Sequence, residues 1–228
     1  MNPALFDPIW LSLLVAFVAT LIALVVGVPL AWLLARWRFR FRGIVEVLVL
    51  LPMVLPPTVI GYYLLIVAGR QGVVGRFVES VLGTPIVFTP AAAVIATCVA
   101  SAPFLVRAAQ GGFEQVDHLF EDAARTLGRS ELSIFLTVTI PLAWRSIVAG
   151  AALCFARAMG EFGATLMLAG NIPGRTQTAS MAVYDAVQAG DLRRAMILSL
   201  LLSGTTGLAL WLLTSVGRPP EATSTSAR

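Results

Sequence analysis

Apolar residues occur in this chain as long, nearly unbroken runs, without the short alternation of a strand or the single stripe of a surface helix. A helix that crosses a bilayer needs about 20 mostly apolar residues, and five stretches reach that length: roughly 9–35, 44–68, 86–106, 147–169 and 195–216. The pattern predicts an all-α membrane protein with about five transmembrane helices. The second stretch is interrupted by Glu46, Pro52, Pro56 and Pro57, and the fourth contains Arg157 and Glu161. Both still read as spans, because helix breaks at membrane depth are tolerated where protein or a cavity satisfies the backbone.

Between the third and fourth runs the pattern changes. From about 117 to 141 the chain carries charges, small residues and a glycine. Asp117 is placed to cap a helix whose apolar positions are Leu119, Phe120, Ala124 and Leu127, and Gly128 stands where a C-terminal cap belongs. Ser130 then starts a second helix, "ELSIFLTVTI", which is expected to end against Pro141. The result is helix, glycine turn, helix. Pattern alone fits an amphipathic hairpin at the membrane interface equally well.

Composition supports a lipid-embedded chain. It is 58% hydrophobic and 12% charged, with a mean hydropathy of +0.87, whereas soluble domains carry about 25% charged residues. The net charge of +4 is made entirely with arginine. A phosphate-binding loop of the Walker type needs a lysine, and so does Schiff-base chemistry, so neither belongs to this chain. One histidine, His118, and two cysteines in apolar runs, Cys98 and Cys154, offer no metal cluster and no disulfide framework. No catalytic centre is indicated.

The arginines read as orientation, with no nucleic-acid surface. Arg36, Arg38, Arg40 and Arg42 follow the first run directly, a dense stop that the positive-inside rule places in the cytoplasm. The N-terminus, residues 1–8, is then extracytoplasmic. With five crossings, Arg107, Arg125, Arg129, Arg145, Arg218 and Arg228 also fall inside, and Arg70, Arg76, Arg175, Arg193 and Arg194 outside. The first run is too long for a signal-peptide core and no basic residue precedes it, so it reads as a retained span. The spans occupy 9–216, and the Pro-, Ser- and Thr-rich residues 217–228 read as a disordered cytoplasmic tail.

The spacing in the polar hairpin adds a family. Asp122-Ala123-Ala124, three residues, Gly128, nine residues, then Val138-Thr139-Ile140-Pro141 resembles the EAA loop of bacterial ABC importer permeases. It departs from that consensus by Asp for Glu, Val for Ile and Ile for Leu. The resemblance implies a type I ABC importer permease fold, N-out and C-in, whose short coupling helix docks on a separate ATPase. Glu121, Asp122, Ala123, Ala124, Arg125, Gly128 and Pro141 are the residues it assigns to coupling. Ala123 and Ala124 would allow close approach, Gly128 a sharp stop, and the charged residues polar contacts to the ATPase.

Two further stretches, "LPMVLPPTVIGYYLL" and "ARAMGEFGATLMLAGNIPGRTQT", resemble molybdate ABC transporter permeases. Sulfate and tungstate permeases share the Gly-Glu-Phe-Gly core, so sulfate, thiosulfate or tungstate stays open as the substrate. The resemblance implies a bacterial inner-membrane homodimer, two ATPase subunits that bind ATP and magnesium, and a periplasmic or extracellular oxyanion-binding protein. No cofactor is expected in this chain. Thr58, at the proline break, with Arg157, Glu161 and Thr165, are pathway or gate candidates. Arg157 and Glu161 lie four apart on one helix face, and an internal pair that only fixes packing fits as well. Asn171, Arg175, Thr176 and Gln177 are candidates to face the binding protein. A secondary transporter driven by an ion gradient is the competing class, and Arg157 with Glu161 would be its only intramembrane relay.

Overall fold

The computed structural model describes residues 3–37 and 39–216. Every regular element among them is helical. The chain opens with α1 (Pro3–Arg36), then α2 (Arg42–Val54), α3 (Pro57–Ala68) and α4 (Val73–Leu82). Helix α5 (Pro90–Glu114) leads to the short α6 (His118–Thr126) and α7 (Glu131–Ile134). A π-helical segment, Phe135–Thr139, joins α7 to α8 (Ile140–Met159), followed by α9 (Gly163–Ala169), α10 (Ala179–Gln188) and α11 (Leu192–Val216). Four helical stretches are long and apolar enough to cross a membrane: Phe6–Arg36, Pro90–Glu114, Glu131–Met159 and Leu192–Ser215. The pair α2 and α3 reaches the same length and apolarity only when taken together, and it is bent by 120° at its break. Arg38 and the tail 217–228 lie outside the described residues.

One expected span breaks where its prolines predict, and another is corrected. The stretch 44–68 forms two helices. The residue before a proline is biased away from the helical region, and here two prolines follow in succession, doubling that bias. Leu55 and Pro56 are extended (ψ 142° and 136°), and Pro57 restarts the chain as the first residue of α3. The fourth span starts earlier and stops earlier than 147–169. The hairpin's second helix does not end at Pro141 but continues into α8. Proline normally collides with the carbonyl four residues back. Here the wider π turn, closed by the Ile140 N–H on the Phe135 carbonyl, admits Pro141 without a stop. The helix ends instead at Met159, and Gly160–Phe162 separate it from α9.

Helices α1, α5 and α8 form the centre. Their contacts are made by small residues, including Ala19, Ala23 and Ala31 of α1, Ala96, Ala100 and Ala109 of α5, and Ala143 and Ala151 of α8. Apolar side chains gain little by leaving lipid for protein, so close backbone approach has to supply the attraction. A Cβ on Gly150 would stand 2.9 Å from the Ala108 Cβ and 3.1 Å from the Leu105 carbonyl oxygen. Position follows from burial: half of the most apolar stretch of α5 is buried, against 6% for α11. Helix α11 is peripheral, and α2 buries no residue fully.

A second close crossing joins α3 to α9. A Cβ on Gly61 would lie 2.7 Å from the Met167 Cβ and 2.9 Å from the Ala164 Cα, and one on Gly163 would lie 3.0 Å from the Pro57 Cβ. This crossing holds the broken span against the broken end of α8. Gly61→Val should therefore wedge the two apart and destabilise the detergent-solubilised protein by about 1–3 kcal/mol. Gly111→Ala, with open space at the added methyl, should leave the protein unchanged or slightly more stable. Thermal unfolding of both variants checks this; equal melting temperatures would show that the crossing contributes nothing.

Candidate functional site

The polar hairpin is built as its sequence directs. The Asp117 carboxylate accepts the Leu119 N–H at 2.9 Å, and the Ser130 hydroxyl accepts the Ser133 N–H at 3.3 Å. Helix α6 closes with a Schellman turn: Gly128 N–H donates to the Arg125 carbonyl and Arg129 N–H to the Ala124 carbonyl. Gly128 has φ +76° with free space around it, so backbone conformation, not crowding, is what calls for glycine there. Arg125 Nη1 contacts Asp122 at 2.6 Å and its Nε contacts Glu131 at 2.7 Å. Glu131 first, then Asp122, hold that guanidinium above its ordinary range. The three side chains are well exposed, so the bridge sets the angle of the hairpin and adds little stability.

Of the apolar positions of α6, Leu119, Phe120 and Leu127 are 71%, 57% and 82% exposed, and Ala123 is exposed with them. Ala124 and Glu121 are the buried positions. The expectation that Glu121 and Ala124 reach a partner is therefore corrected: both face this chain's own interior.

Glu121 sits where three elements meet. Its carboxylate is 3.2 Å from Nη2 of Arg36 at the end of α1 and accepts the Thr139 hydroxyl, from the π segment, at 2.8 Å. The side chains of the Arg36–Glu121 pair are 6% and 3% exposed. Arg36 also donates to the Val116 carbonyl at 2.8 Å and lies 3.0 Å from His118 Nε2. Trp32 and Phe113 pack on Phe135, with centroids 4.9 and 6.2 Å apart. A second polar ladder ties α2 to α5: Arg107 and Gln110 both donate to Glu46, and Gln110 donates to Glu114.

At the far end of α8 the predicted pair forms, though across a helix end. Arg157 lies in the last turn and Glu161 just beyond it, 2.7 Å apart. The other Glu161 oxygen accepts the Ala164 N–H of α9 at 2.8 Å. Glu161 is buried, and Arg157 keeps 27% of its side chain exposed. Thr58 is exposed at the start of α3. Thr165 is buried with its hydroxyl spent on the Phe162 carbonyl, so its assignment to an open pathway is corrected.

The outer-loop candidates separate in the same way. Asn171 and Gln177 each donate to one oxygen of Asp185 on α10, both at 2.7 Å. Thr176 is fully buried, accepting the Ile172 N–H and donating to the Gly170 carbonyl. These three fold the loop onto itself and do not present donors outward. Arg175 alone of the four is exposed. It shares a cavity of about 660 Å³ with Arg70, Thr84 and Phe88. Phe88 takes a left-handed φ of 61°, with its N–H on the Leu168 carbonyl. Its ring fills the space beside Gly170, where a Cβ would come within 2.8 Å.

Sequence reasoning missed Arg36, Thr139, Asp185 and the Glu46–Arg107–Gln110 ladder. Arg36 was one of four arginines in an alternating run with nothing to single it out. Thr139 and Asp185 find partners 18 and 14 residues away through turns whose shape the sequence does not state. Glu46 was a detectable signal, because an acid inside an apolar run calls for an internal partner.

The family described as binding-protein-dependent transport system inner membrane component matches residues 27–217. The molybdenum transport system permease protein ModB of Escherichia coli (strain K12) is 43% identical over 188 residues, covering 81% of this chain and 82% of that one. The molybdenum transport system permease protein ModB of Mycobacterium tuberculosis (strain H37Rv) is 39% identical over 224 residues, covering 98% and 83%. Among solved structures, an inward-facing MetNI methionine ABC transporter superposes with a TM-score of 0.75 at 18% identity, covering 96% of this chain and 98% of that one.

The Asp185 clamp gives a local test. Hydrogen bonds to a carboxylate are worth about 1.5–3 kcal/mol each, so Asp185→Ala should raise opening of the 170–178 loop on the order of tenfold or more. Trypsin cleavage after the exposed Arg175 reads that opening directly. Wild-type resistance in the variant would mean that the clamp does not hold the loop.

Proposed function

Because this chain belongs to the family of binding-protein-dependent transport system inner membrane components, we propose that it is the transmembrane subunit of an ATP-driven molybdate importer. It is a multi-pass inner-membrane protein and no enzyme in itself; ATP hydrolysis belongs to a separate subunit. The observation that carries the substrate is the likeness, over most or nearly all of the chain, to two molybdenum transport permeases.

The ATPase, with its ATP and magnesium, sits on the outward face of α6, where Leu119, Phe120, Ala123 and Leu127 form an exposed apolar patch. Buried against a partner, such side chains recover the hydrophobic free energy their own chain leaves unused. Asp122 and Arg125 border the patch and orient the contact. A second copy of the chain completes the path, its contact built on the outer side of α2, where Ile44, Val47, Leu48 and Val54 are exposed while Val45 and Val49 pack against the core. The pathway runs by Thr58 and the exposed part of Arg157. Glu161 neutralises most of that guanidinium's pull on an anion, which suits passage and not storage. The extracytoplasmic binding protein meets the cavity that holds Arg70 and Arg175. The orientation is N-out and C-in, as the arginine distribution directs.

Reconstituted in liposomes with its ATPase and binding protein, the permease should take up molybdate only with ATP, and competition by tungstate and sulfate should rank the substrates. Uptake driven by an ion gradient without the ATPase would overturn the proposal. In the same system Leu127→Asp should abolish co-purification of the ATPase and uptake together without loss of fold, because the side chain is 82% exposed.

Orientation has its own test. In a background with Cys98 and Cys154 replaced by alanine, Arg76→Cys should react with an impermeant thiol reagent in intact cells, and Arg40→Cys should not. The reverse pattern would invert the topology.

A further inference from the structure

We infer that Glu121 is a positioning residue: it latches the coupling helix to α1 and to the root of α8, so that those spans receive the displacement of α6 directly. The inference rests on the importer reading above and deepens it. Helix α6 has nine residues, too few to be rigid alone, since isolated helices shorter than about 12–15 residues are marginal in water. A push on its outer face moves the spans only if its inner face is fastened.

One carboxylate does the fastening. Glu121, near the middle of α6, binds Arg36 of α1 at 3.2 Å and Thr139 of the π segment at 2.8 Å. Arg36 also grips the α5–α6 link through the Val116 carbonyl, so α6 cannot swing on that link independently of α1. The π turn is part of the device. An extra residue in the turn sets the register that puts Thr139, fully buried, against the carboxylate, and such turns recur at functional positions. The rings of Trp32, Phe113 and Phe135 pack where α1, α5 and the π segment meet. A buried ion pair is poor evidence for stability, because removing two charges from water offsets much of their attraction. Fixing one arrangement of three elements is what this pair accomplishes.

The test separates coupling from folding. Thr139→Val removes the hydroxyl and keeps the shape; Glu121→Gln keeps an acceptor for Thr139 and removes the charge facing Arg36. Each variant is reconstituted with the ATPase and binding protein, and molybdate moved per ATP hydrolysed is measured beside the ATPase retained per permease. The ratio should fall roughly threefold or more in both, as expected for losing a buried bond to a charged group, with the ATPase still bound. Thr139→Ser, which restores the hydroxyl, should return the ratio to near wild type. A ratio equal to wild type in both variants overturns the latch, as does transport that declines only in proportion to lost ATPase. A wild-type protein that moves no molybdate with ATP would overturn the importer reading and the latch with it.

Discussion

A charged or hydrogen-bonding group that leaves water must find its partner inside the chain, and in this protein nearly every departure from a plain apolar bundle answers that constraint. Glu46 is met by Arg107 and Gln110, Glu121 by Arg36 and Thr139, and Glu161 by Arg157 and the Ala164 N–H. Each acid joins at least two elements. The small-residue packing of α1, α5 and α8 brings those elements close enough for such bonds to form. Polar joints then fix the relative positions that non-directional packing leaves loose.

The joints also divide the molecule into a well-packed centre and elements left without cover. Helices α1, α5 and α8 share alanine-lined contacts and the aromatic cluster around Phe135. Helix α2 buries no residue fully, α11 is peripheral, and the outer face of α6 presents Leu119, Phe120 and Leu127 to solvent. In a permease that works with other subunits, uncovered apolar surface is where partners or lipid supply what the single chain lacks. The same logic separates Arg175, exposed beside Arg70, from Asn171, Thr176 and Gln177, which are consumed in holding the loop.

Much of this was legible in the sequence, for identifiable reasons. Run length announces a membrane helix because bilayer thickness is fixed. Consecutive prolines announce a break because each disfavours the helical region for the residue before it and removes a backbone donor, and the bend between α2 and α3 falls at Leu55–Pro56. Gly128 announces a left-handed turn, with Asp117 and Ser130 as caps, because these are local rules acting within a few residues. The EAA-like spacing belongs to the same class, and the family match covering 27–217 agrees with it.

Direction was not legible. The sequence assigned Glu121 to contact with a partner, and the structure buries it within the chain. Pro141 read as a stop, yet a π turn carries the helix through it. Arg36 read as one of several interchangeable topogenic charges and is instead buried against Glu121. The sequence by itself determined the long apolar helices, the caps of the polar hairpin and the break at Leu55–Pro56, because those properties depend on neighbours along the chain. Only the tertiary structure decided which side of each helix is inside and which charges meet. A side chain's partner is whatever the packing of distant segments brings within about 3 Å, the range in which a hydrogen bond forms.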